Sequence, residues 1–184
     1  MAVERQHVKE QDKVARRSNF EPVESNLTPE QVKLEASRCL HCKNPRCVQG
    51  CPVNIQIPDF IQALKEDNLD KAGQIIRQTS MLPSVCGRVC PQERQCEGNC
   101  ILGIKGEAVA IGALERYVGD NTKADMPEIK PSGKKVAVIG SGCAGITAAA
   151  DLRKAGHIAA ISIFNTFAYF RKMLRLHRKK QIFA

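Results

Sequence analysis

Cysteine is the residue type whose number and spacing point most directly to chemistry in this sequence. The chain has nine cysteines among 184 residues, and eight of them fall between positions 39 and 100. One cysteine in each half of this region, Cys51 and Cys90, is followed directly by proline. This density predicts that the thiols act together as metal ligands. The eight form two groups of four, Cys39-x2-Cys42-x4-Cys47-x3-Cys51 and Cys86-x3-Cys90-x5-Cys96-x3-Cys100.

Two groups of four thiolates match two [4Fe–4S] clusters in number. Bacterial ferredoxins close each ligand run with Cys-Pro, and that last cysteine ligates the other cluster. Zinc sites favour two short Cys-x2-Cys pairs, and only Cys39 and Cys42 have that spacing here. The segment from Met1 to His7 carries charges where a secretory signal needs apolar residues, so we expect a cytoplasmic, reducing environment in which disulfides are rare. The pattern favours iron–sulfur clusters, and a zinc-stabilised binding module is the alternative.

Short helices are predicted around and between the two cysteine groups. Thr28, Pro29 and Gln31 indicate a helix start, because threonine caps, proline suits the first position and glutamine completes a capping box. This helix is predicted to run to about Leu40, where the cysteines begin. Further helices are predicted from Pro58, over 69–78 and over 107–118, with a Pro-, Gly- and Cys-rich stretch at 83–103.

A glycine-rich turn follows the cysteine region. Residues 136–139 have the pattern of a buried strand, and residues 146–155 that of a helix. Between them lies a G-x-G-x-x-G sequence made by Gly140, Gly142 and Gly145. In this motif the first glycine allows a tight turn, the second lets a pyrophosphate approach the backbone, and the third lets helix and strand pack closely. The context between a strand and a helix predicts a dinucleotide-binding turn.

The positive charge is concentrated at the end of the chain. The net charge is +9, from 28 Lys and Arg against 19 Asp and Glu, and the last acidic residue is Asp151. Six of the basic residues lie in 158–184, so residues 1–157 carry only +3. No apolar run reaches the length of about 18 residues that a membrane span requires. The charge therefore does not indicate nucleic acid as a partner of the cysteine region, and no membrane partner is predicted.

The cysteine region resembles a known family. The run from Cys39 to Pro52, together with Gly87-Arg88-Val89-Cys90-Pro91, is similar to the N-terminal Fe–S domain of the glutamate synthase small subunit family. The same domain occurs at the N-terminus of dihydropyrimidine dehydrogenase and in the large subunit of NADH-dependent reduced-ferredoxin:NADP oxidoreductase. The resemblance covers about residues 28–157. It implies a mainly α fold, an α-helical ferredoxin-like Fe–S domain followed by the first β-α unit of a Rossmann-type FAD domain.

With this resemblance, five segments are expected along the chain. They are a flexible arm at 1–27, the two-cluster Fe–S domain at 28–120, a linker at 121–133, an incomplete FAD/NAD(P)-binding Rossmann fragment at 134–157, and a divergent basic tail at 158–184.

The resemblance also implies a crossed set of cluster ligands. The first cluster would be held by Cys39, Cys42, Cys47 and Cys100. The second would be held by Cys51, Cys90, Cys96 and the non-cysteine ligand Glu115, and Cys86 would then be a free thiol. Spacing alone would make Cys86 the eighth ligand, so the two arguments disagree, and we follow the family pattern.

Helical spacing supports the assignment of Glu115 independently. Its carboxylate shares one helical face with small and apolar residues, where burial without a partner costs several kcal/mol. Such a carboxylate needs a metal or a cation. The alternatives are an ion pair with Arg88 or Arg116, or simple exposure to solvent.

In the family that it resembles, NAD(P)H reduces FAD, and electrons pass through two [4Fe–4S] clusters to a partner. In glutamate synthase that partner is the large subunit. The resemblance therefore implies an electron-transfer oxidoreductase subunit, with FAD at Gly140, Gly142 and Gly145 in the intact family. Because this chain retains only the first strand–turn–helix of the flavin site, no NAD(P)H oxidation is expected from it alone.

The resemblance stops after His157. A dinucleotide site needs a second strand that ends in Asp or Glu, whereas residues 158–165 contain no acid. The loss of acids and the rise in aromatic residues at one point predict a truncated ending caused by a frameshift. A natural divergent ending, a functional basic tail or an inactive truncated product are the alternatives.

Overall fold

The computed structural model describes residues 3–124 and 128–162. The chain divides into two compact units, with the boundary between Asp125 and Met126. The first unit is helical and carries eight of the nine cysteines. The second contains a small two-stranded parallel sheet and one helix. No helix of the described residues is long and apolar enough to cross a membrane.

Six α-helices make up the described part of the first unit. The predicted start of α1 is confirmed, because the Gln31 N–H donates to Thr28 Oγ1 at 3.3 Å and Thr28 N–H donates to Gln31 Oε1 at 2.9 Å. The helices are α1 (Pro29–Ser37), α2 (Arg46–Gln49), α3 (Ile57–Lys65), α4 (Leu69–Arg77), α5 (Pro83–Val89) and α6 (Ile111–Asn121).

The core of the first unit lies between α3, α4 and α6. Their inward faces carry the largest fully buried apolar side chains, so burial of these faces supplies most of the hydrophobic stabilisation. Asn68 caps α4 by accepting a hydrogen bond from Lys71 N–H at 3.0 Å. The largest fully buried apolar side chains are Ile57, Phe60, Ile61, Ile76, Ile111, Leu114 and Val118.

Helix α5 and the start of α6 differ from the sequence prediction. The sequence analysis describes 83–103 only as rich in Pro, Gly and Cys and assigns no helix to it. In the structure, its first residues form α5. Helix α6 begins at Ile111 rather than at Glu107, because the carbonyls of Glu107 and Ala108 accept hydrogen bonds from the Arg38 guanidinium, at 2.6 and 3.0 Å. These carbonyls are therefore used outside the helix.

Residues 3–27, predicted as a flexible arm, pack onto the helical unit. Arg5 Nη1 donates to the carbonyl of Ala108 at 2.9 Å, and the Gln6 N–H donates to a carboxylate oxygen of Glu35 at 2.6 Å. Leu27 is buried in the core. This packing depends on partners far along the chain, which is why the polar composition of the segment did not reveal it.

The second unit is a β-α-β arrangement. Strand β1 (Lys135–Ile139) pairs in parallel with β2 (Ile158–Ser162), and α7 (Cys143–Lys154) connects them. The register joins Lys135 to Ile158 and Ile139 to Ser162. Helix α7 begins three residues earlier than predicted, directly after Gly142. The basic residues of the predicted tail lie outside the described residues.

Candidate metal centre

Three thiols of the first cysteine segment and one of the second line a single cavity of the helical unit, and these four are called the first group below. Cys39 follows the end of α1, Cys47 lies in α2, and Cys100 precedes a short 3-10 helix at Ile101–Ile104. Apolar side chains of α3 and α6 form much of the remaining wall, including Ile61. The four cysteines that line the cavity are Cys39, Cys42, Cys47 and Cys100.

Burial disfavours the thiolate form of these cysteines unless a positive charge lies nearby. Burial raises the pKa of Cys47 to about 11, and the nearby sulfurs of Cys100 and Cys39 add to the rise. The pKa of Cys39 is raised chiefly by burial, and the positive charge of Lys65 opposes this shift. Lys65 Nζ donates to the carbonyl of Cys39 at 2.7 Å. A cationic metal cluster would supply the charge that four thiolates need here.

A second group of thiols forms around the end of α5. Cys90 is the C-cap of this helix, and burial raises its pKa to about 11, with further contributions from Cys86, Glu115 and Cys51. Burial also raises the pKa of Cys96 to about 12, and Glu97, Glu115 and Cys51 add to the effect. These mutual interactions show that the structure brings the four thiols and the carboxylate into one neighbourhood.

Glu115 is the carboxylate of this second group. The residue is 6% exposed, and burial raises the pKa of its carboxyl to about 7. Its Oε1 atom is buried and has no hydrogen-bond partner among the described residues. Arg88 instead pairs with Asp120 at 2.6 Å, and Arg116 lies 3.5 Å from a carboxylate oxygen of Glu24. Both ion-pair alternatives and the solvent-exposed alternative are therefore wrong, and the orphaned oxygen fits a metal ligand.

Cys86 lies in the second group although the family pattern leaves it without a cluster. Its Sγ atom is 3.8 Å from the buried hydroxyl of Ser80. Burial raises the pKa of Cys86, and the charge of Glu115 is the next largest cause. All nine cysteines are free thiols, so the structure contains no disulfide.

Among the described residues, no three or more Cys, His, Asp or Glu side chains are close enough to share one metal ion. His41, between two cysteines of the first group, is a surface residue, with a side chain 52% exposed and Nε2 3.8 Å from Asp59.

Two further residues near the site were not found by sequence analysis. Glu97 Oε1 accepts the Gly112 N–H at 2.9 Å, and its Oε2 accepts a hydrogen bond from Arg5 at 2.7 Å. Glu97 thus fixes the loop of Cys96 to the start of the helix that carries Glu115. Lys65 is the other missed residue. For Glu97, the available sequence signal was its position directly after Cys96. For Lys65, it was a positive charge at the end of a helix with many apolar residues.

The glycine turn of the second unit has the geometry that its motif predicts. Gly140 has a φ of +107°, a left-handed conformation that other residues rarely adopt. A side chain at Gly145 would collide with the carbonyl oxygen of Gly140, whereas nothing lies within 4 Å of a Cβ built on Gly142. Gly142 is the N-cap of α7. Open space in front of a helix N-terminus fits a phosphate group.

A small helical unit with two groups of mostly half-buried thiols fits the class of iron–sulfur electron-transfer domains. The comparison with protein families agrees. Residues 16–126 match the model of the family described as dihydropyrimidine dehydrogenase domain II, 4Fe-4S cluster. The chain belongs to this family.

Proteins similar to this chain include glutamate synthases. The small chain of NADPH glutamate synthase from Escherichia coli is 41% identical over 151 residues, which are 79% of this chain and 32% of that protein. The Bacillus subtilis small chain is 31% identical over 88% of this chain and 35% of its own length. The NADH glutamate synthase of Saccharomyces cerevisiae is 33% identical over 88% of this chain and 8% of its own length. The chain thus spans about a third or less of these relatives.

Proposed function

We propose that the helical unit holds two [4Fe–4S] clusters and relays electrons between a NAD(P)H-reduced flavin and an electron-accepting partner. By analogy with its relatives, that partner resembles the large subunit of glutamate synthase. One observation carries the proposal, namely that the thiols form two neighbouring groups and that the second includes an orphaned buried carboxylate. The ligands proposed are Cys39, Cys42, Cys47 and Cys100 for the first cluster, and Cys51, Cys90, Cys96 and Glu115 for the second.

The assignment crosses the two cysteine segments. Cys100 comes from the second segment but lines the cavity of the first group, and Cys51 comes from the first segment but interacts with Cys90 and Cys96. Each cluster would then bind both segments and stabilise the fold, since metal binding is coupled to folding.

Electron transfer between the clusters needs proximity. Cys47 lies in α2, and Cys51 follows that helix only four positions later in the sequence, so one short turn would carry a ligand of each cluster. The clusters supply one-electron redox chemistry when bound. The chain's own residues hold them, surround them with apolar side chains, and place Lys65 beside the first group.

The second unit is proposed to contribute pyrophosphate contacts to a flavin site. Gly140 and Gly142 support this role because they leave open space before the N-terminus of α7, and Gly145 supports it because only a glycine fits against the Gly140 carbonyl. The ribose contact has less support. Strand β2 ends at Ser162, whose carbonyl accepts the Gly140 N–H at 2.8 Å, at the position where dinucleotide sites place Asp or Glu.

The proposed function is tested by purifying the chain without oxygen and measuring iron, acid-labile sulfide and the visible spectrum. We expect a brown protein with about eight irons and eight sulfides per chain, which is what two cubane clusters contain. A colourless protein that contains zinc would overturn the proposal and support the zinc-stabilised binding module.

A further inference from the structure

The packing of α5 on α6 brings Cys86 to Glu115. Gly87 lies against the backbone of Arg116 so closely that a Cβ at position 87 would be 2.6 Å from Arg116 Cβ and 2.7 Å from its Cα. Gly112, one turn before Arg116 in α6, faces the side chain of Gln92, which follows α5. The neighbours of Gly87 and of Arg116 in sequence, Cys86 and Glu115, are therefore held at the same level of the helix pair.

Cys86 is half-buried and lies next to residues of the second group. It lies one helical turn before Cys90, and the Cys90 N–H donates to its carbonyl at 3.0 Å. Its thiol contacts the hydroxyl of Ser80, which is 4% exposed. The charges of Glu115 and Cys51 act on the Cys86 thiol and raise its pKa, although burial contributes more.

The second group therefore contains five potential donors for a cluster that has four corners. Three are the thiols of Cys51, Cys90 and Cys96. The other two are the carboxylate of Glu115, whose buried Oε1 lacks a partner among the described residues, and the thiol of Cys86 beside it. Thiolate is the softer ligand, and iron–sulfur clusters bind it readily.

We propose that Cys86 is an alternative fourth ligand of the second cluster, positioned to bind the iron that Glu115 otherwise holds. This inference rests on the proposed function, because it requires the second cluster. In the exchange, the bond from iron to the Glu115 oxygen would break and a bond from iron to Cys86 Sγ would form. The thiol proton passes to the released carboxylate, so no oxidant or reductant is needed.

The test compares four anaerobically purified variants: Glu115→Ala, Cys86→Ala, the double variant Glu115→Ala/Cys86→Ala, and Glu115→Ala/Cys143→Ala. The last is a matched control, since Cys143 is exposed and lies in the other unit. Iron and sulfide content and the EPR spectrum of the reduced protein are measured. The EPR signal of the first cluster reports whether each variant has folded.

We expect Glu115→Ala to keep its full iron content with a changed EPR signal for the second cluster, because Cys86 takes the vacated corner. Cys86→Ala should match the unmodified chain. The double variant should lose the second cluster and with it about half of its iron, while the first cluster stays intact. The Cys143 control should behave like Glu115→Ala alone.

Two results would overturn the inference. One is loss of the second cluster in Glu115→Ala alone, and the other is its retention in the double variant. If the unmodified chain lacks a second cluster, the proposed function itself fails, so the two failures are distinguishable. Repeating the double variant as Glu115→Leu/Cys86→Ala, with a smaller change in volume at position 115 and no donor atom at either position, guards against misfolding.

Discussion

The buried carboxylate of Glu35 accepts a hydrogen bond from the backbone N–H of Ala110, directly before α6, at 2.7 Å. The same carboxylate accepts hydrogen bonds from Arg38 at 2.7 Å and from the Gln6 N–H at 2.6 Å. Glu35 is fully buried, and it ties the N-terminal segment, α1 and the start of α6 together.

We expect Glu35→Ala to destabilise the protein by about 3–5 kcal/mol, because it leaves the Arg38 charge and two N–H groups without their acceptor. The free energy of unfolding is measured by urea denaturation followed by circular dichroism. The surface variant Gln62→Ala is the control, and its expected effect is within about 0.5 kcal/mol. A loss below about 1 kcal/mol in Glu35→Ala would contradict the role of this junction.

The crossed ligand pattern predicts which substitutions share a spectroscopic effect. Cys100→Ala should abolish the same EPR signal as Cys39→Ala, because both residues line the first cavity. Cys96→Ala should abolish the other signal. The measurement is EPR of reduced, anaerobic protein during a redox titration. If Cys100→Ala removes the signal that depends on Cys96, each cluster is instead bound within one cysteine segment.

Lys65 should raise the reduction potential of the first cluster. Its ammonium group donates to the carbonyl of Cys39, and its charge acts on the Cys39 sulfur. Since reduction adds negative charge, Lys65→Met should lower this potential by tens of millivolts and leave the second cluster unchanged.

Two controls accompany the Lys65 measurement, which is an EPR-monitored potentiometric titration. Lys65→Arg keeps the charge and should stay close to the unmodified potential. Lys71→Met removes an exposed charge that pairs with Glu66 at 3.4 Å and should have little effect. Equal shifts of both clusters in Lys65→Met would indicate a structural change rather than a local charge effect.

The ion pair between Arg88 and Asp120 should contribute stability across the neutral and mildly acidic range. Hydrogen bonding to Arg88 is the main cause that lowers the pKa of Asp120 to about 2, with further help from Asn26 and Ser84. A lowered pKa means that the contribution is full above the unfolded value of about 3.9 and disappears as the pH falls toward 2.

A double-mutant cycle with Arg88→Ala and Asp120→Asn measures this pair. We expect a coupling free energy of about 0.5–1 kcal/mol, since the Arg88 side chain is partly exposed to solvent. The coupling should be equal at pH 7 and pH 5, because both lie above the titration of the carboxyl group. A fall in coupling between these two pH values would show that Asp120 titrates higher than the structure indicates.

Local sequence patterns predicted the elements that depend on neighbours along the chain. The capping box of Thr28 and Gln31 and the left-handed Gly140 follow from short-range geometry, and the structure has both. The start of α6 and the docking of residues 3–27 were not predicted. Both depend on Arg38 and Glu35, whose partners are far away in sequence.

The sequence by itself determined the chemistry of the candidate site, because eight closely spaced cysteines and a Cys-Pro in each group leave few alternatives to metal binding. Only the tertiary structure decided how those donors are grouped. Cys86 lies beside Glu115 because α5 packs closely against α6. The same packing buries the Glu115 Oε1 atom, which has no hydrogen-bond partner among the described residues. That contact joins segments distant in sequence, and cysteine spacing carries no information about it.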